Sequence, residues 1–506
     1  MLQLTLTNRK LYVAGADSAT IRALEEATSY TVAGHYFSPA FKNKRWDGKE
    51  HLLTLSRHAG YYVPAGLYCD VIAVLLGRGV KYKLVDETEV RHIPTPLEWN
   101  EAIVLREYQE RAVKTILNAR FHPGVGLLKM PIRSGKTKTA ARLIATVGLP
   151  TLFLVPSQML LRQTFEALTE ALPSTHIGMI GDGENEVGFI TIATLQSLDR
   201  LRNGVVPRRK PRRGETKEEA KEAEAERRAK SKVMKRRYKE LCEAFDLVIC
   251  DEAHHIRGQG DWYKIMYEMD ARYKVGLSAT AYPENQDEAE RGIIWMKATC
   301  GPIRIDIPTS ELVEAGFLMR QNVYMVRITK PNLMGQRWSN TLRERAITQN
   351  TKRNKVIARL AKKFIGEGLK VLIVANRFDH IACLEEALDA DGVDYRIVTG
   401  RDNADSRQEK VEGFVKGEYG ALIGTVLGEG VDIPSVDVVI NAEGGKDDKA
   451  TVQRQRNLTI SAGKTRAILV DFLDETNEYF KKHSHARLEA YRAESSFKVR
   501  IAGSER

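Results

Sequence analysis

Short apolar runs rich in β-branched residues alternate with amphipathic stretches from about Leu127 onward. Each run ends in a small or polar cluster, which is typical of a parallel strand that is buried on both faces and leads into a loop. A first series comprises VGLLKM, TLFLVP, GFITIAT, FDLVICDEAH and YKVGLSAT, and a second comprises KVLIVAN, DYRIVTG, YGALIGT, VDVVINAE and TRAILVDF. The pattern predicts two α/β domains in tandem, joined near Glu314 to Met319.

The first 95 residues have a different texture, with several aromatic residues and the Gly/Pro punctuation of AGHYFSPAFKNKRWDGKEHLL and AGYYVPAGL. They predict a small α+β module that ends in the linker RHIPTPLEWN. The predicted domains are therefore residues 1–95, residues 96–315, and residues 316–506 with a C-terminal helical tail.

The composition describes an ordinary globular protein, since 43% of the 506 residues are hydrophobic and 28% are charged. No apolar run reaches about 18 residues, and the N-terminus lacks the apolar core of a signal peptide, so we expect no membrane span and a cytoplasmic location. Five scattered cysteines predict reduced thiols instead of a disulfide framework or a zinc site. They are Cys69, Cys242, Cys250, Cys300 and Cys383.

Most of the net charge of +12 lies in one segment. Residues 207–240 hold 15 Lys/Arg against 7 Asp/Glu, which contributes +8. Such a run is typical of a solvated helix or a disordered insertion, but a helix with i,i+4 Glu/Lys pairs could also project toward DNA. If it does, removing residues 207–240 should flatten the salt dependence of DNA binding.

A candidate phosphate-binding loop lies in LLKMPIRSGKTKTAARLI. Gly135, Lys136 and Thr137 match the end of the pattern G-x-x-x-x-G-K-[ST], while Met130 stands where its first glycine should be. The loop follows a strand-like run and precedes a helix-like one, so its N–H groups and the helix dipole favour a phosphate there. A second GKT, at Gly463–Thr465, precedes a strand-like run instead and predicts a turn.

Two adjacent carboxylates, Asp251 and Glu252, follow the apolar run in VICDEAHH. They are expected at the C-terminal end of a buried strand, where ligands bind in open α/β sheets. Asp251 and Thr137 could hold Mg²⁺, while Lys136 would contact the β- and γ-phosphates of ATP and Glu252 would orient and deprotonate water.

Together these motifs resemble those of the superfamily 2 helicases and translocases, whose first motif reads approximately P-T-G-S-G-K-T. PIRSGKT matches it with Ile132 for threonine and Arg133 for glycine, which explains the missing glycine at Met130. The resemblance implies two RecA-like domains that face one another with ATP and Mg²⁺ in the cleft, and it adds Arg133 and Ser134 to the ATP-binding residues.

The other family motifs follow in order along the chain. LREYQERAV resembles the adenine-recognising motif, LVPSQMLLRQ and TIATLQSL resemble single-strand contact motifs, LSAT resembles the coupling motif, and LIVAN and GTVLGEGVDIP resemble motifs IV and V. The residues in the matching positions are Arg106 and Gln109 for adenine, Pro156, Thr194, Gln196 and Thr425 for nucleic acid, Ser278 and Thr280 for coupling, and Gly430 and Asp432 for ATP.

The last motif departs from the family pattern Q-x-x-G-R-x-x-R. VQRQRNLTI keeps Gln453 but lacks the glycine and the second arginine. With one residue deleted, Arg456 takes the place of the arginine that stabilises charge on the γ-phosphate, and Arg454 is the rival. An ordinary surface arginine is the remaining alternative.

The N-terminal module resembles that of phage UvsW-type branch-migration helicases, such as the helicase of a T5-like phage, through FSPAFKNKRWDGKEHLL and the later GYYVPAGL. Its basic and aromatic cluster could pair with phosphates and stack a base. The cluster comprises Lys42, Lys44, Arg45, Trp46 and Lys49. Alternatively, Trp46 and Phe41 are core residues and the lysines are merely solvated. If the cluster binds DNA, deleting residues 1–95 should weaken branched-DNA binding and spare DNA-stimulated ATPase activity.

The resemblance implies an ATP-dependent DNA helicase that unwinds and migrates forks, loops and four-way junctions. We expect single-stranded, forked and four-way DNA as partners, with phage recombination or replication proteins, and a monomer in the host cytoplasm. One alternative is a duplex translocase or an RNA helicase. Another is a structure-specific DNA-binding scaffold with a vestigial ATPase, against which the intact set of Lys136, Asp251 and Glu252 argues.

Overall fold

A computed structural model describes most of the chain. The chain divides into two compact units. The described residues are 2–57, 60–207, 216–279, 286–424, 433, 435–445, 464 and 466–502. The first unit comprises Met1–Pro131 and Gly135–Ile307, and the second comprises Pro308–Arg506 with Ile132–Ser134. Within the described ranges no helix combines the length and apolarity needed to cross a lipid bilayer.

The N-terminal module is a mixed sheet with helices, as its texture predicts. Its elements are β1 (Leu2–Leu6), β2 (Lys10–Ala14), α1 (Ser18–Ala27), β3 (Ser29–Thr31), α2 (Pro39–Lys42), β4 (Lys49–His51), β5 (Thr54–Ser56), β6 (Gly60–Pro64), α3 (Tyr68–Gly77) and β7 (Tyr82–Asp86). The main sheet has the order β5-β6-β2-β1-β7, in which only β1 and β7 are parallel, and β3 pairs with β4 separately.

The first α/β domain contains an eight-stranded sheet. Its strands are β8 (Val125–Lys129), β9 (Thr151–Val155), β10 (Ile177–Gly181), β11 (Glu184–Asn185), β12 (Ile190–Thr194), β13 (Leu247–Cys250), β14 (Tyr273–Ser278) and β15 (Ile303–Asp306). Its helices are α4 (Glu107–Leu117), α5 (Lys136–Val147), α6 (Gln158–Ala171), α7 (Leu195–Asn203), α8 (Lys217–Glu243), α9 (Asp261–Glu268) and α10 (Gln286–Cys300), and α11 (Thr309–Glu314) follows at the start of the second unit. The order is β11-β10-β12-β9-β13-β14-β8-β15, and only β11 is antiparallel to its neighbour.

The second unit contains a seven-stranded sheet in which every described pair is parallel. Its strands are β16 (Gln321–Ile328), β17 (Val371–Val374), β18 (Tyr395–Val398), β19 (Ala421–Gly424), β20 (Val438–Asn441), β21 (Ala467–Asp474) and β22 (Phe497–Ala502), and its helices are α12 (Asn340–Arg343), α13 (Thr351–Gly366), α14 (Phe378–Ala390), α15 (Ala404–Lys416) and α16 (Glu478–Ala493). The order is β18-β19-β17-β20-β21-β16-β22.

These sheets confirm the predicted tandem of α/β domains with parallel sheets. All ten apolar runs form strands, but the apolar pattern does not predict β10, β11, β15, β16 and β22. The expected helical tail is α16 followed by a strand, because β22 returns to pair with β16. The strand β21 does follow the second GKT, of which only Lys464 lies within the described residues.

Two fully buried arginines hold the second sheet to its helices. Arg353 of α13 donates from Nε to Asp474 at 2.9 Å, and Arg487 of α16 donates from Nε to Asp471 at 2.9 Å. Both carboxylates lie on β21, and both arginine side chains are 0% exposed. Arg353 also donates from Nη1 to the carbonyl oxygen of Ala442, 2.7 Å away, just beyond β20. Removing one partner would leave a buried charge, which typically costs about 3–5 kcal/mol.

The N-terminal module and the first α/β domain share one apolar core. Buried residues of β1, α1 and α3 belong to the same hydrophobic cluster as buried residues of β8, β9 and α10. The turn at Gly66 packs so tightly on α10 that a Cβ atom there would lie 2.0 Å from the carbonyl oxygen of Lys297. Polar contacts add to this interface, since Trp295 donates from Nε1 to the Tyr30 hydroxyl at 3.2 Å and Lys297 pairs with Asp70 at 2.7 Å.

This shared core changes what a deletion of residues 1–95 would do. The deletion would expose the apolar face of α10, so it would destabilise the first α/β domain instead of sparing the expected ATPase activity. Point substitutions on the exposed face of the module therefore test its role in DNA binding better than the deletion does.

We predict that Gly66→Ala lowers the melting temperature of the first unit, because the added methyl group overlaps α10 and overpacking costs about 1–3 kcal/mol. Gly77→Ala is the matched control, since Gly77 ends α3 and nothing lies within 4 Å of the added Cβ atom. Thermal unfolding followed by calorimetry would compare the two variants. Equal melting temperatures would contradict the close packing of the module on α10.

The charged segment continues into a long helix that is anchored at one end. Helix α8 begins with a capping box in which the Thr216 side chain accepts from Glu219 N. Near its other end Tyr238 is buried and its hydroxyl donates to Glu268 Oε2 at 2.9 Å, and Leu241 is buried as well. A removal of residues 207–240 would therefore take the buried Tyr238 with it, and charge substitutions are the better test.

The charges of α8 are divided unevenly, with eight Lys/Arg and no Asp/Glu between Arg227 and Lys239. We predict that replacing the exposed Lys230, Lys232 and Arg236 with Gln reduces the salt dependence of DNA binding by roughly 0.9 for each phosphate that is no longer neutralised. Replacing Lys362, Lys481 and Lys482 removes the same charge from the second unit and is the control. Titrations with labelled DNA at several salt concentrations measure the slope. An unchanged slope would identify α8 as a solvated helix.

Candidate active site

Three neighbouring strands of the first sheet carry the predicted ATP-site motifs at their carboxyl ends. In the order β13-β14-β8, Asp251 follows the first strand, Ser278 ends the second, and the candidate phosphate loop follows the third. The carboxyl ends of parallel strands meet at one edge, so motifs that are far apart in sequence become neighbours. A backbone hydrogen bond of 2.9 Å from Met130 N to Ser278 O joins the loop directly to the end of β14.

The phosphate loop contains two residues with left-handed backbone angles. Gly135 has a φ of 77° and directly precedes α5, which starts at Lys136 and stops before the left-handed Gly148. Arg133 has a φ of 65°. The family has glycine at the Arg133 position because such angles suit glycine, whereas an L-residue with a side chain pays about 1–2 kcal/mol. Ser134, between them, is fully buried.

Gln109 lies against the phosphate loop. A Cβ atom on Gly135 would lie 2.4 Å from Gln109 Nε2, so only glycine leaves room for this amide. Gln109 Oε1 accepts a 2.9 Å hydrogen bond from Arg106 N at the start of α4, and an Arg106 Nη1 donates to the Tyr108 hydroxyl at 3.1 Å. The amide of Gln109 therefore ties the beginning of α4 to the loop, a role that the predicted adenine contact does not include.

The two carboxylates have different surroundings. Asp251 is buried, and its Oδ1 accepts a 2.9 Å hydrogen bond from Glu252 N. Glu252 has a φ of 48°, in the left-handed region, and its side chain remains 26% exposed. The turn after β13 thus keeps Asp251 inside and leaves the Glu252 side chain partly exposed.

Their pKa values are displaced in opposite directions. Burial, followed by the neighbouring Glu252 charge, raises the pKa of Asp251, and Lys136 opposes that rise. Burial acts on the pKa of Glu252 in the same upward direction, but Lys136 and then His254 outweigh it and lower that pKa. The pair therefore holds its negative charge mainly on Glu252, and a bound cation would favour a second charge on Asp251.

His254 joins Glu252 to the coupling motif. Its Nδ1 lies 3.1 Å from Glu252 Oε2 and 3.1 Å from Ser278 Oγ, and its side chain is 4% exposed. This histidine belongs to the DEAH tetrapeptide, but the sequence alone predicts no role for it. Its position two residues after Glu252 is the available signal, and only the neighbouring strand β14 shows what it reaches.

The donor set suits Mg²⁺ held together with a nucleotide. Thr137 is half-buried in the first turn of α5, and Asp251 supplies one carboxylate. Among the described residues no group of three or more His, Cys, Asp or Glu could hold a metal ion. Mg²⁺ is usually bound by one or two carboxylates plus substrate phosphates, so it would neutralise phosphate charge here only when ATP is present.

The predicted single-strand contacts lie farther along the same sheet edge. Pro156 follows β9 and Thr194 ends β12, while Gln196 is exposed in the first turn of α7. The Thr194 side chain is buried and caps α7, accepting from Ser197 N at 3.3 Å. Its hydroxyl is therefore engaged within the protein, and Gln196 is the more accessible of the two side chains.

Four of the five residues of the predicted basic cluster line an open depression of about 590 Å³, and Lys49 does not. The side chains of Lys42, Lys44 and Arg45 are exposed and line it together with Trp46. Trp46 is half-buried and donates from Nε1 to the Lys49 carbonyl oxygen at 2.6 Å. The structure thus brings the basic residues together, while the indole also braces the loop that carries them.

Several predicted site residues lie outside the described residues, and for these the assignments remain predictions. They are Thr280, Thr425, Gly430, Asp432, Gln453, Arg454 and Arg456.

Comparison with curated proteins finds relatives of low identity. The DNA 3'-5' helicase XPB of Kineococcus radiotolerans is 24% identical over 348 residues, covering 67% of this chain and 54% of that protein. The DNA 3'-5' translocase XPB2 of Sulfurisphaera tokodaii is 25% identical over 431 residues, covering 78% and 86%. Probable helicase D10 of Escherichia phage T5 is 23% identical over 426 residues, covering 83% and 81%. The chain spans only about half the length of the first of these relatives.

Solved structures support the fold. Dbp5 of S. cerevisiae, solved with RNA and ADP BeF3, has a TM-score of 0.51 at 16% identity, covering 78% of this chain and 89% of Dbp5. T4 UvsW has a TM-score of 0.42 at 17% identity, covering 99% of both chains. The second score is too low to support an inference, so the UvsW-type resemblance remains a prediction.

We predict that His254→Ala slows ATP hydrolysis about 10-fold, because a hydrogen bond to a charged group typically contributes about 1.5–3 kcal/mol. Ser278→Ala should have an effect of similar size, and the double variant should be little slower than either single variant, since both remove one linkage. His176→Ala, at an exposed histidine that pairs with Glu186, is the control. Steady-state hydrolysis rates of the four variants test this prediction. Additive effects would show that His254 and Ser278 act independently.

Two family matches cover more than half of the chain between them. Residues 102–283 match the family described as type III restriction enzyme, res subunit, and residues 352–456 match the helicase conserved C-terminal domain. The first match contains the phosphate loop, the two carboxylates and Ser278. The second match covers part of the domain with the second parallel sheet. The chain, with its two RecA-like domains, belongs to the superfamily 2 helicases.

Proposed function

We propose that the chain is an ATP-dependent DNA helicase that unwinds and branch-migrates forked or junction DNA. The observation that carries the proposal is that one compact unit holds both the Lys136, Asp251 and Glu252 cluster and, on the same apolar core, a basic depression in the N-terminal module. A helicase family alone implies ATP-driven movement on nucleic acid. The added module is what favours branched DNA as the substrate.

ATP hydrolysis needs positioning and charge more than covalent chemistry from the protein. Lys136 and the N–H groups at the start of α5 would hold the β- and γ-phosphates. Thr137 and Asp251 would hold Mg²⁺, and the partly exposed Glu252 would orient the attacking water. A carboxylate with a lowered pKa is a weak base, so water orientation is the larger part of its task.

The path from hydrolysis to movement begins at His254. When the γ-phosphate leaves, the charge facing Glu252 falls, and the imidazole that contacts both Glu252 and Ser278 can relay the change to β14. Nucleotide-dependent switches commonly convert the departure of one phosphate into movement of a larger element. Gly430, Asp432 and Arg456, as the family resemblance implies, would sense the same phosphate from the second domain.

The finer expectations belong to the same proposal. We propose DNA as the nucleic acid because two relatives are named as acting on DNA, and phage recombination or replication proteins as partners because a phage helicase is among the relatives. We also propose a monomer in the cytoplasm of the host cell, because a phage helicase is among the relatives.

A second candidate is a duplex translocase that remodels protein–DNA complexes without separating strands. It is favoured by the relative that is named a DNA 3'-5' translocase. The RNA alternative is supported by a relative that is named a putative ATP-dependent RNA helicase, but more of the relatives are named for DNA. The scaffold alternative is disfavoured, since the phosphate loop, both carboxylates and His254 lie together at one edge of the first sheet.

We predict that Lys136→Ala lowers ATP turnover about 100-fold or more, because it removes the cation that faces the phosphates and both carboxylates. Lys138→Ala is the matched control, since Lys138 is exposed two residues farther along α5. Hydrolysis and strand separation would be measured with duplex DNA, forked DNA, a four-way junction and RNA.

The wild-type protein should hydrolyse ATP fastest with forked or four-way DNA and should separate those strands. Near-normal turnover in Lys136→Ala would refute the site. Stimulation by duplex DNA without strand separation would instead favour the translocase, and separation of RNA alone would favour the RNA helicase.

A further inference from the structure

Two neighbouring aromatic side chains of the N-terminal module stand in solvent. Tyr36 is 56% exposed and Phe37 is 71% exposed, and both belong to the short 3-10 turn His35–Phe37. Their ring centroids lie 4.4 Å apart with the planes tilted by 46°. The turn thus presents a continuous aromatic surface that the apolar core of the first unit does not use.

The turn is braced from beneath by His35. Its Nδ1 lies 2.9 Å from the carbonyl oxygen of Val32, and its ring packs edge-on against Phe41 at 4.6 Å. Gly48 makes room for this imidazole, because a Cβ atom there would lie 2.7 Å from His35 Cδ2. The left-handed Gly34, with a φ of 72°, starts the turn. The exposed rings are therefore carried on a packed support.

The surroundings of the turn are basic. Tyr36 lines the same depression as the exposed side chains of Lys42, Lys44 and Arg45, and Asp47 is the one acidic residue of its lining. These cations can pair with phosphates within reach of the two rings. Trp46, the predicted stacking residue, is half-buried and hydrogen-bonded to the Lys49 carbonyl. Its indole therefore stabilises the loop and has less exposed surface for a ligand than Tyr36 and Phe37 have.

We propose that Tyr36 and Phe37 form a nucleobase-stacking site for unpaired bases at a DNA branch point. The proposal rests on the DNA-binding function above and names the part of the substrate that this surface contacts. Bases offer their flat faces to a protein only where they are unpaired or unstacked, and exposed aromatic rings beside a basic groove are the arrangement that binds such strands.

The geometry also limits how bases can bind. Because the two rings touch each other, a base stacks on an outer face of the pair and does not insert between them. Paired bases inside a continuous duplex hide their faces, so the site should distinguish a fork from a blunt duplex. The lysines and Arg45 should contact both DNAs, since both have phosphates.

The test compares Tyr36→Ala/Phe37→Ala with Leu55→Ala/Leu76→Ala in the full chain. The control leucines are also exposed on the N-terminal module, at 66% and 60%, but they have no aromatic face. The probes are a labelled fork with an unpaired arm and a blunt duplex of equal length, titrated at several salt concentrations without ATP. A third variant, Lys42→Gln/Lys44→Gln, removes phosphate contacts instead of stacking.

The aromatic variant should bind the fork about 10-fold more weakly, bind the duplex within about 2-fold of wild type, and keep the wild-type salt slope, because its cations still neutralise the same phosphates. The lysine variant should bind both DNAs more weakly with a smaller slope. Phe37→Tyr should retain fork binding, while Tyr36→Leu/Phe37→Leu, which keeps apolar bulk without an aromatic face, should not.

Equal weakening on fork and duplex, a reduced slope in the aromatic variant, or the same weakening in the leucine variant would overturn the stacking site. A 2-aminopurine base in the unpaired arm gives an independent signal, since its fluorescence should be quenched by the wild-type protein but not by the aromatic variant. Strand separation with ATP is scored separately. Failure of the wild-type protein to separate strands would refute the helicase proposal while fork-selective stacking could still be observed.

Discussion

The contact of His254 with both Glu252 and Ser278 links the chemistry of the site to the rest of the first sheet. Glu252 alone could orient a water molecule, but a carboxylate on a left-handed turn needs a partner to hold its direction. His254 supplies that partner, and through Ser278 it reaches β14, which is bonded to the phosphate loop at Met130. Three motifs on three strands thus form one connected group. A change in the charge near Glu252 therefore alters the contacts that join Glu252, His254 and Ser278.

Nine of the ten strands that the sequence predicts are buried on both faces, and the edge strand β18 is the exception. In β13 and β9 every residue is buried, so their apolar runs are continuous and easily seen. By contrast, β16 alternates buried and partly exposed residues, and the edge strand β22 is mostly exposed or half-exposed. In β10 two glycines interrupt the apolar sequence. These strands carry a weaker apolar signal, and pairing with their neighbours is what defines them.

The site residues also differ in how well the sequence predicts them. Some are positioned by the motif that contains them, and others by elements that are distant in sequence. Lys136, Thr137, Asp251 and Glu252 are predictable because a short motif contains both the residue and the strand or helix that positions it. Gln109 is different, since its contact with Gly135 spans separate elements and depends on the absence of a side chain at that glycine. Arg133 shows the converse, because the backbone angle explains the family's glycine but no sequence rule predicts which residue replaces it.

The shared core of the module and the first α/β domain has a mechanical consequence. The proline-rich linker suggests a separable module, yet Gly66 and Trp295 pack it into the domain that holds the phosphate loop. Separating the two would expose apolar surface, so the module moves with the strands that carry Lys136 and Asp251. A base stacked on Tyr36 or Phe37 would then keep a fixed distance from the ATP-binding loop. A strand that is pulled by other parts of the enzyme would consequently move relative to this anchored base, and that relative movement is what migration of a branch requires.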